Sequence, residues 1–359
     1  MKKKKLLIVT SSSYISGIET HTYDLIEKLI QEYPQYEVYA LAPTSGPWVD
    51  KVNKLGIRVI IYDFYKHYFK RLYALYKILK KYDFDIVHNH AFTRIVLASA
   101  KLAGVSKRIH SVHIAGLGKE LISGASKYYI TNKIMDSTVS HYIANSKVTY
   151  NELVQNNISP QKISVIYYGL KEKFYSKKES SKNAIFTIGF LGRLEDQKNI
   201  DILIKALSLL KFNFKCLIGG SGSLYKNLEE IVHSLKLDDK VYFLGNVESV
   251  SFLDKLDLFV LPSKFESLGL VLLEASARKV PIICSAMPVT KELKENFIPK
   301  IITFPIGDYK SLAEKIQYIY DNYHNKDKIR EIITENFNKT KELTIKNMIN
   351  QIVNIYETK

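Results

Sequence analysis

The feature that most constrains this chain is an alternation, run twice, of short apolar segments with longer amphipathic ones. Lys5–Val9, Glu37–Ala42, Arg58–Ile61, Asp85–His88, Arg108–His113, Tyr142–Asn145 and Ile163–Tyr167 read as strands. Glu19–Tyr33, Phe64–Tyr82, Arg94–Ala103 and Val148–Asn156 read as helices between them. Strands covered by helices on both faces of a parallel sheet read as continuous apolar runs, so the pattern predicts a doubly wound α/β layout. The polar stretch Lys171–Asn183 interrupts it, and then it restarts. Ala184–Leu191, Phe214–Gly219, Val241–Leu244, Leu258–Leu261, Pro281–Cys284 and Ile301–Phe304 are the second set of strands. Ile200–Leu210, Leu224–Leu235, Ser249–Lys255, Leu268–Lys279 and Ser311–Asn322 are their helices. The expected fold class is therefore α/β: two doubly wound parallel-sheet domains, 1–170 and 184–335, joined by a linker at 171–183. A ligand cleft is expected between them.

Composition narrows the function classes. With 46% apolar and 25% charged residues in 359, disorder and fibrous repeats are excluded. Cys216 and Cys284 cannot build a disulfide framework or a four-thiolate zinc site. Both sit in apolar runs, as reduced core residues of a cytoplasmic protein do. The longest uncharged stretch, Leu6–Ile18, falls short of the roughly 20 apolar residues of a membrane span. Lys2–Lys5 followed by Leu6–Val9 mimics the start of a signal peptide, but its apolar part is too short.

The formal charge is +16, unevenly spread: residues 1–180 carry 27 Lys and Arg against 14 Asp and Glu. Such a field suits an anionic membrane, a phosphorylated lipid or nucleic acid, unless it reflects only a lysine-rich proteome. In Phe64–Lys81, Lys66, Lys70, Lys77, Lys80 and Lys81 share one helical face and aromatic and leucine side chains the other. The plain reading is a surface helix packing its apolar face; the functional one adds peripheral contact with an anionic membrane. No nucleic-acid-binding module accompanies the charge, so no nucleic-acid partner is expected.

The residues that carry chemistry lie in the second half. In FESLGLVLLE, Glu266 and Glu274 flank Gly269 at the exit of an apolar strand, where α/β sheets place ligand-contacting groups. A helix start there turns free N–H groups toward a phosphate. Glu266 can accept sugar hydroxyls and Glu274 can hold a ribose, although acids near helix starts are commonplace. In GRLEDQKN, Arg193 and Lys198 can converge on a diphosphate, the arginine as a planar fork and the lysine as a point charge. The small residues Gly219, Gly220, Ser221 and Gly222 permit close backbone approach to a nucleotide, or only a tight turn.

Taken in order, GRLxxxKN, GGSGxL, FLGNV and LPSxFESLGLVLLEA resemble the retaining GT-B glycosyltransferases of family 4. The likeness extends to VPIICS and FPIGDYKSLAEKI, and in the first half to SGIETHTYDLIEKL, FDIVHNH, SVHIAGL and ANSKVTYNELV. The resemblance implies a GT-B pair of Rossmann-like domains, with a C-terminal helix, 336–359, returning to the first. It implies Arg193 and Lys198 at the donor diphosphate, Glu266 facing the donor sugar and Glu274 near the ribose. Ser267, Leu268, Gly269 and Leu270 would supply the donor-binding turn, with Gly220 and Gly222 beside the nucleotide. Gly17 would approach the diphosphate and His113 the donor sugar, with His90 on the acceptor side. Two departures stand out: Ser16-Gly17 replaces a glycine pair, and Ser285–Val289 lacks the Gly-Gly that relatives carry ahead of Glu292.

The resemblance further implies a retaining, metal-independent hexosyl- or N-acetylhexosaminyltransferase that takes a nucleotide-sugar donor, a UDP-sugar rather than a GDP-sugar, with no cofactor. The acceptor would be a lipid-linked saccharide in bacterial surface polysaccharide assembly, reached from the cytoplasmic face of the membrane. An epimerase or hydrolase of the same architecture, or a catalytically silent accessory subunit, remains the alternative. A nicotinamide dehydrogenase is disfavoured, because SSSYISGIE stands where G-x-G-x-x-G belongs. Asp83-Phe84-Asp85 has a metal-binding spacing but reads as a turn leading into a strand. His88 and His90 share a strand face without a third ligand at zinc spacing.

Overall fold

The alternation becomes two parallel sheets in a computed structural model that describes residues 2–14, 17–65, 68–113, 136–176, 185–323 and 326–358. The chain divides into two units: Met1–Tyr168 with Ile345–Lys359, and Gly169–Thr344.

In the first unit the elements run β1 (Lys4–Val9), α1 (Gly17–Glu32), β2 (Tyr36–Ala42), α2 (Pro47–Asn53), β3 (Arg58–Ile61), α3 (Tyr68–Tyr82), β4 (Ile86–Asn89), α4 (Ile95–Leu102), β5 (Lys107–Val112), β6 (His141–Ala144), α5 (Lys147–Gln155) and β7 (Ile163–Val165). The seven strands lie in the order β3-β2-β1-β4-β5-β6-β7, and their registers are parallel. Successive side chains of β1 serve opposite faces. Leu6 and Ile8 join Val38 and Ala40 in a core closed by Leu25, Trp48 and the C-terminal segment's Met348, Ile352 and Tyr356. Leu7 and Val9 join Leu41 in a second core with Leu75, Leu79, Val96 and Leu97. β1 borders both β2 and β4, so strand order reverses there, and the carboxyl ends of β1, β4 and β5 frame the position where such sheets bind ligands.

The second unit runs β8 (Phe186–Leu191), α6 (Ile200–Leu207), β9 (Phe214–Gly219), α7 (Tyr225–Ser234), β10 (Val241–Gly245), α8 (Ser249–Leu253), β11 (Leu258–Leu261), α9 (Leu270–Ala277), β12 (Ile282–Ser285), α10 (Pro288–Asn296), β13 (Ile302–Phe304), α11 (Tyr309–Tyr323) and α12 (Lys326–Thr340). Its six strands take the order β10-β9-β8-β11-β12-β13, also parallel, with the reversal between β8 and β11. The last helix, α13 (Ile345–Glu357), belongs to the first unit.

The unit boundaries differ from the sequence expectation. The chain passes between units at 168/169 and 344/345, not through a free linker at 171–183 and a change at 335/336. Residues 171–176 are packed: Phe174 is buried, and the buried Arg278 guanidinium donates to the Phe174 and Ser176 carbonyls while pairing with Asp254. The remainder of that polar stretch, 177–183, lies outside the described residues. α12 stays with the second unit because Thr340 meets Ser276 and the Phe297 carbonyl, and Lys300 N–H donates to Asn336. Leu170 N–H then donates to the Leu343 carbonyl, so the two connecting passages run side by side.

Two helices escape the periodicity argument. α2 and α10 are short, and each has a proline in its first turn, which reads as a break but is favourable at a helix start. In α10 the Thr290 hydroxyl accepts from Met287 N–H and donates to main-chain oxygens, closing the loop without Gly-Gly. α3 is amphipathic as expected: Leu75 and Leu79 are buried, whereas Lys70, Lys77, Lys80 and Lys81 are exposed. Lys66 lies outside the described residues.

Candidate functional site

Because β8 and β11 are neighbours at the reversal, the loops leaving their carboxyl ends meet. Lys198 ends a short turn, Asp196–Lys198, after β8, and Glu266 sits on the loop after β11. Lys198 Nζ lies 2.5 Å from Glu266 Oε1, with the two side chains only 13% and 9% exposed. The same carboxylate oxygen accepts from Ser263 Oγ at 2.7 Å. Main chain clips the loops together: Lys264 N–H donates to the Gln197 carbonyl, and Gln197 Nε2 donates to the Phe265 carbonyl, both at 2.9 Å. Sequence reasoning assigned Lys198 and Glu266 to different parts of a substrate; the structure brings them together as an ion pair. Such a sheltered pair holds the lysine in one place, and removing either partner leaves the other charge uncompensated.

Arg193 is exposed on the same loop, 3.4 Å from Gln197 Oε1. Gly269 adopts φ 73°, ψ 55°, the left-handed region that favours glycine, and caps α9 with no side-chain hydrogen bond. Leu268 is buried beneath the turn, and Glu274 stands partly exposed one turn into the helix. The glycine loop has a different explanation from the expected approach to a nucleotide. A Cβ on Gly220 would fall 1.9 Å from the Gly192 carbonyl oxygen, and one on Gly222 would fall 2.3 Å from that of Leu194. These glycines let the loop after β9 close on the loop after β8, where Gly192 N–H donates to Gly219 and Leu194 N–H to Ser221.

The first unit carries a second constellation. His88 lies near the end of β4 and His90 just beyond it, His110 lies in β5, His113 follows it, and His21 comes from α1; all five are buried. His88 Nδ1 meets Tyr356 Oη at 2.6 Å and its Nε2 meets Ser111 Oγ at 2.7 Å. His113 bonds Tyr168 Oη through Nδ1 and His90 Nδ1 through Nε2, the latter at 2.9 Å. Tyr168 stacks on His21, with ring centroids 4.3 Å apart. Burial pushes the His21 imidazole down to about 4 and, reinforced by the Arg94 charge, that of His110 to about 3. Burial and neighbouring imidazoles hold His88, His90 and His113 well below the ordinary value, so the cluster is neutral at neutral pH. His113, expected beside a donor sugar, has both ring nitrogens engaged within this unit.

Sequence reasoning missed Glu19. Its buried carboxylate accepts from Thr10 Oγ1, Ser11 Oγ and Ser12 N–H, and thereby shapes the loop after β1. The hydroxyl run Thr10–Ser13 followed by an acid in the first turn of α1 was the available signal. Gly17 opens α1; Ser16 and 114–117 lie outside the described residues. Asp85 accepts from Lys5 N–H at 2.7 Å and so anchors the start of a strand, as its sequence context suggested. Among the described residues no group of three or more His, Cys, Asp or Glu is placed to hold a metal.

Two doubly wound parallel units, each with polar side chains gathered at its strand-order reversal, define the GT-B architecture of glycosyltransferases. A solved structure of Anabaena HepE in complex with UDP and glucose superposes with a TM-score of 0.85 at 18% identity, over 99% of this chain and 100% of that one. The family model for glycosyl transferases group 1 matches 171–339, and that for Glycosyltransferase Family 4 matches 15–173. The chain belongs to this glycosyltransferase family. It is 25% identical over 364 residues to the O-antigen biosynthesis glycosyltransferase WclY of Escherichia coli, spanning 95% of this chain and 96% of that protein. It is also 25% identical over 367 residues to an E. coli UDP-Gal:α-D-GlcNAc-diphosphoundecaprenol α-1,3-galactosyltransferase, spanning 93% and 91%.

Proposed function

We propose that this glycosyltransferase moves a hexosyl or N-acetylhexosaminyl group from a UDP-sugar to a lipid-linked saccharide in bacterial surface polysaccharide assembly, with retention and without a metal. The observation that carries the reading is the Lys198–Glu266 pair, clipped between two loops beside the glycine-capped start of α9. Lys198 and Arg193 neutralise the departing diphosphate, and the first amides of α9 add partial positive charge. The C1–O bond to the diphosphate breaks as the acceptor oxygen bonds C1 on the same face. The hydroxyl proton leaves with a diphosphate oxygen, so no separate base is required. Glu266 orients Lys198 and accepts from sugar hydroxyls, while Ser267, Leu268, Gly269, Leu270 and Glu274 shape the rest of the donor pocket.

The donor class is supported by the galactosyltransferase relative, whose name specifies UDP-Gal and a diphosphoundecaprenol acceptor. Among the described residues no helix is long and apolar enough to cross a membrane. The exposed lysines of α3 would supply peripheral contact with the anionic inner leaflet, where a lipid-linked acceptor resides.

Melting of the purified chain with UDP, GDP and their sugars, in EDTA, tests the reading. A ligand at 100 times its Kd adds about 2.7 kcal/mol. Stabilisation by UDP-sugars that is lost in Lys198→Ala is expected, together with a fall of roughly 10²–10³ in kcat. An absolute metal requirement, a β-linked product from an α-linked donor, or turnover of donor at full rate without acceptor would each overturn it.

A further inference from the structure

A chain of hydrogen bonds in the first unit can be assigned a direction, and its last donor is left over. Ser146 Oγ donates to Thr149 Oγ1 at 3.1 Å, and Thr149 Oγ1 donates to Asn145 Oδ1 at 2.8 Å. That turns the Asn145 carbonyl toward Thr149 and leaves its amide nitrogen to donate to Tyr168 Oη, a bond that favours the phenolate form of Tyr168. Burial nevertheless keeps the Tyr168 hydroxyl protonated far above neutral pH, so its own proton is available for His113 Nδ1. A neutral His113 that accepts at Nδ1 must carry its proton on Nε2, and that proton is donated to His90 Nδ1. His90 must then carry its proton on Nε2. This atom is buried, in a residue only 1% exposed, and among the described residues it has no hydrogen-bond partner.

His90 lies where β4 ends beside β1, at the strand-order reversal of the first unit. The rings around it are those of His21, His88 and His113, all neutral, and both nitrogens of His88 are engaged with Tyr356 and Ser111. An N–H cannot take a cation, and its complement is an oxygen acceptor.

We propose that Tyr168 and His113 are positioning residues that lock His90 as the Nε2–H tautomer, and that His90 donates this hydrogen bond to a hydroxyl or ring oxygen of a bound sugar. The inference rests on the glycosyl-transfer reading for its ligand, but the tautomer lock comes from this unit alone. In the opposite polarity Tyr168 would accept from His113, and His90 Nε2 would be a bare acceptor. The two cases are spectroscopically distinct.

Nitrogen NMR of the full chain with ¹⁵N-labelled histidine tests the lock. His90 and His113 are expected as neutral Nε2–H tautomers from pH 6 to 8, and Tyr168→Phe should leave His113 and His90 in mixed tautomers. An Nδ1–H or charged His90 in the native chain overturns the proposal. Titration with UDP, UDP-glucose, UDP-galactose and a soluble GlcNAc-diphosphoalkyl acceptor then identifies the sugar. A His90 Nε2 shift with the UDP-sugars but not with UDP assigns the donor sugar; a shift only with the acceptor assigns that side.

His90→Phe should lower kcat/KM by roughly 10- to 100-fold, and His90→Gln, which keeps an N–H, should recover most of the loss. If the UDP-sugars and the acceptor bind while His90 is undisturbed and His90→Phe is fully active, this role fails and the donor site stands. If none of them binds, the proposed function fails and this role falls with it, whatever the tautomers show.

Discussion

Five buried imidazoles in one unit make its stability steeply dependent on pH, and the magnitude can be worked out. His21, His88, His90, His110 and His113 all have folded-state values pushed below the ordinary 6.5, chiefly by burial. These five therefore take up no proton in the folded unit as pH falls past 6.5, while in the unfolded chain they do. Stability is complete above that value and is lost as pH drops toward the folded values, near 4 for His21 and 3 for His110. Between pH 7 and 5.5 each such histidine removes about 1.2 kcal/mol, and five remove about 6 kcal/mol. That rivals the whole stability of a typical domain, about 5–15 kcal/mol. The chain has a single tryptophan, Trp48, buried in the first unit, so its fluorescence follows that unit alone. Thermal melts read at Trp48 should fall by at least about 10 °C from pH 7 to 5.5. A flat midpoint across this window would refute the claim that the cluster is neutral in the folded unit.

Three further outcomes are expected. Gly220→Ala forces a Cβ against the Gly192 carbonyl and should destabilise the second unit by about 1–3 kcal/mol, with weaker UDP-sugar affinity, measured by urea titration and calorimetry. Arg278→Ala leaves Asp254 without its bidentate partner and frees residues 173–176; a loss of about 3–5 kcal/mol should appear, with early proteolysis after Lys173. Replacing Lys77, Lys80 and Lys81 by glutamate should weaken co-sedimentation with anionic vesicles by more than 10-fold, while UDP-sugar affinity in solution stays unchanged.

The strands were legible because a strand buried on both faces cannot disguise its composition: LLIV in β1 and LFVL in β11 have nowhere to place a polar side chain. The GRLEDQKN and FESLGLVLLE segments were equally visible as chemistry, but not as neighbours. Their contact depends on β8 lying beside β11, which is a property of strand order and not of either segment. The histidine cluster was only half visible, since its orienting partners, Tyr168 and Tyr356, stand 55 and 268 residues from the histidines they bond. Gly220 and Gly222 read as positions of close approach to a nucleotide or as a tight turn, and local sequence could not show that the approaching atoms belong to this chain's own backbone. The polar run after Gly169 reads as a linker because its lysine- and serine-rich composition hides one buried phenylalanine and the distant arginine that anchors it.

The placement of α13 sets an order of assembly. The first unit's core takes Met348, Ile349, Ile352 and Tyr356 from the last stretch of the chain, whereas the second unit is continuous in sequence. A ribosome emits residues 1–168 first, but those residues must wait with one sheet face uncovered until the final helix emerges. The second unit can meanwhile complete its own core, reversing the usual amino-to-carboxyl sequence of domain folding during synthesis. Aggregation-prone apolar surface is thus exposed longest in the unit whose first strands are made earliest, and a frameshift within the codons for 345–359 would injure the first unit more than the second.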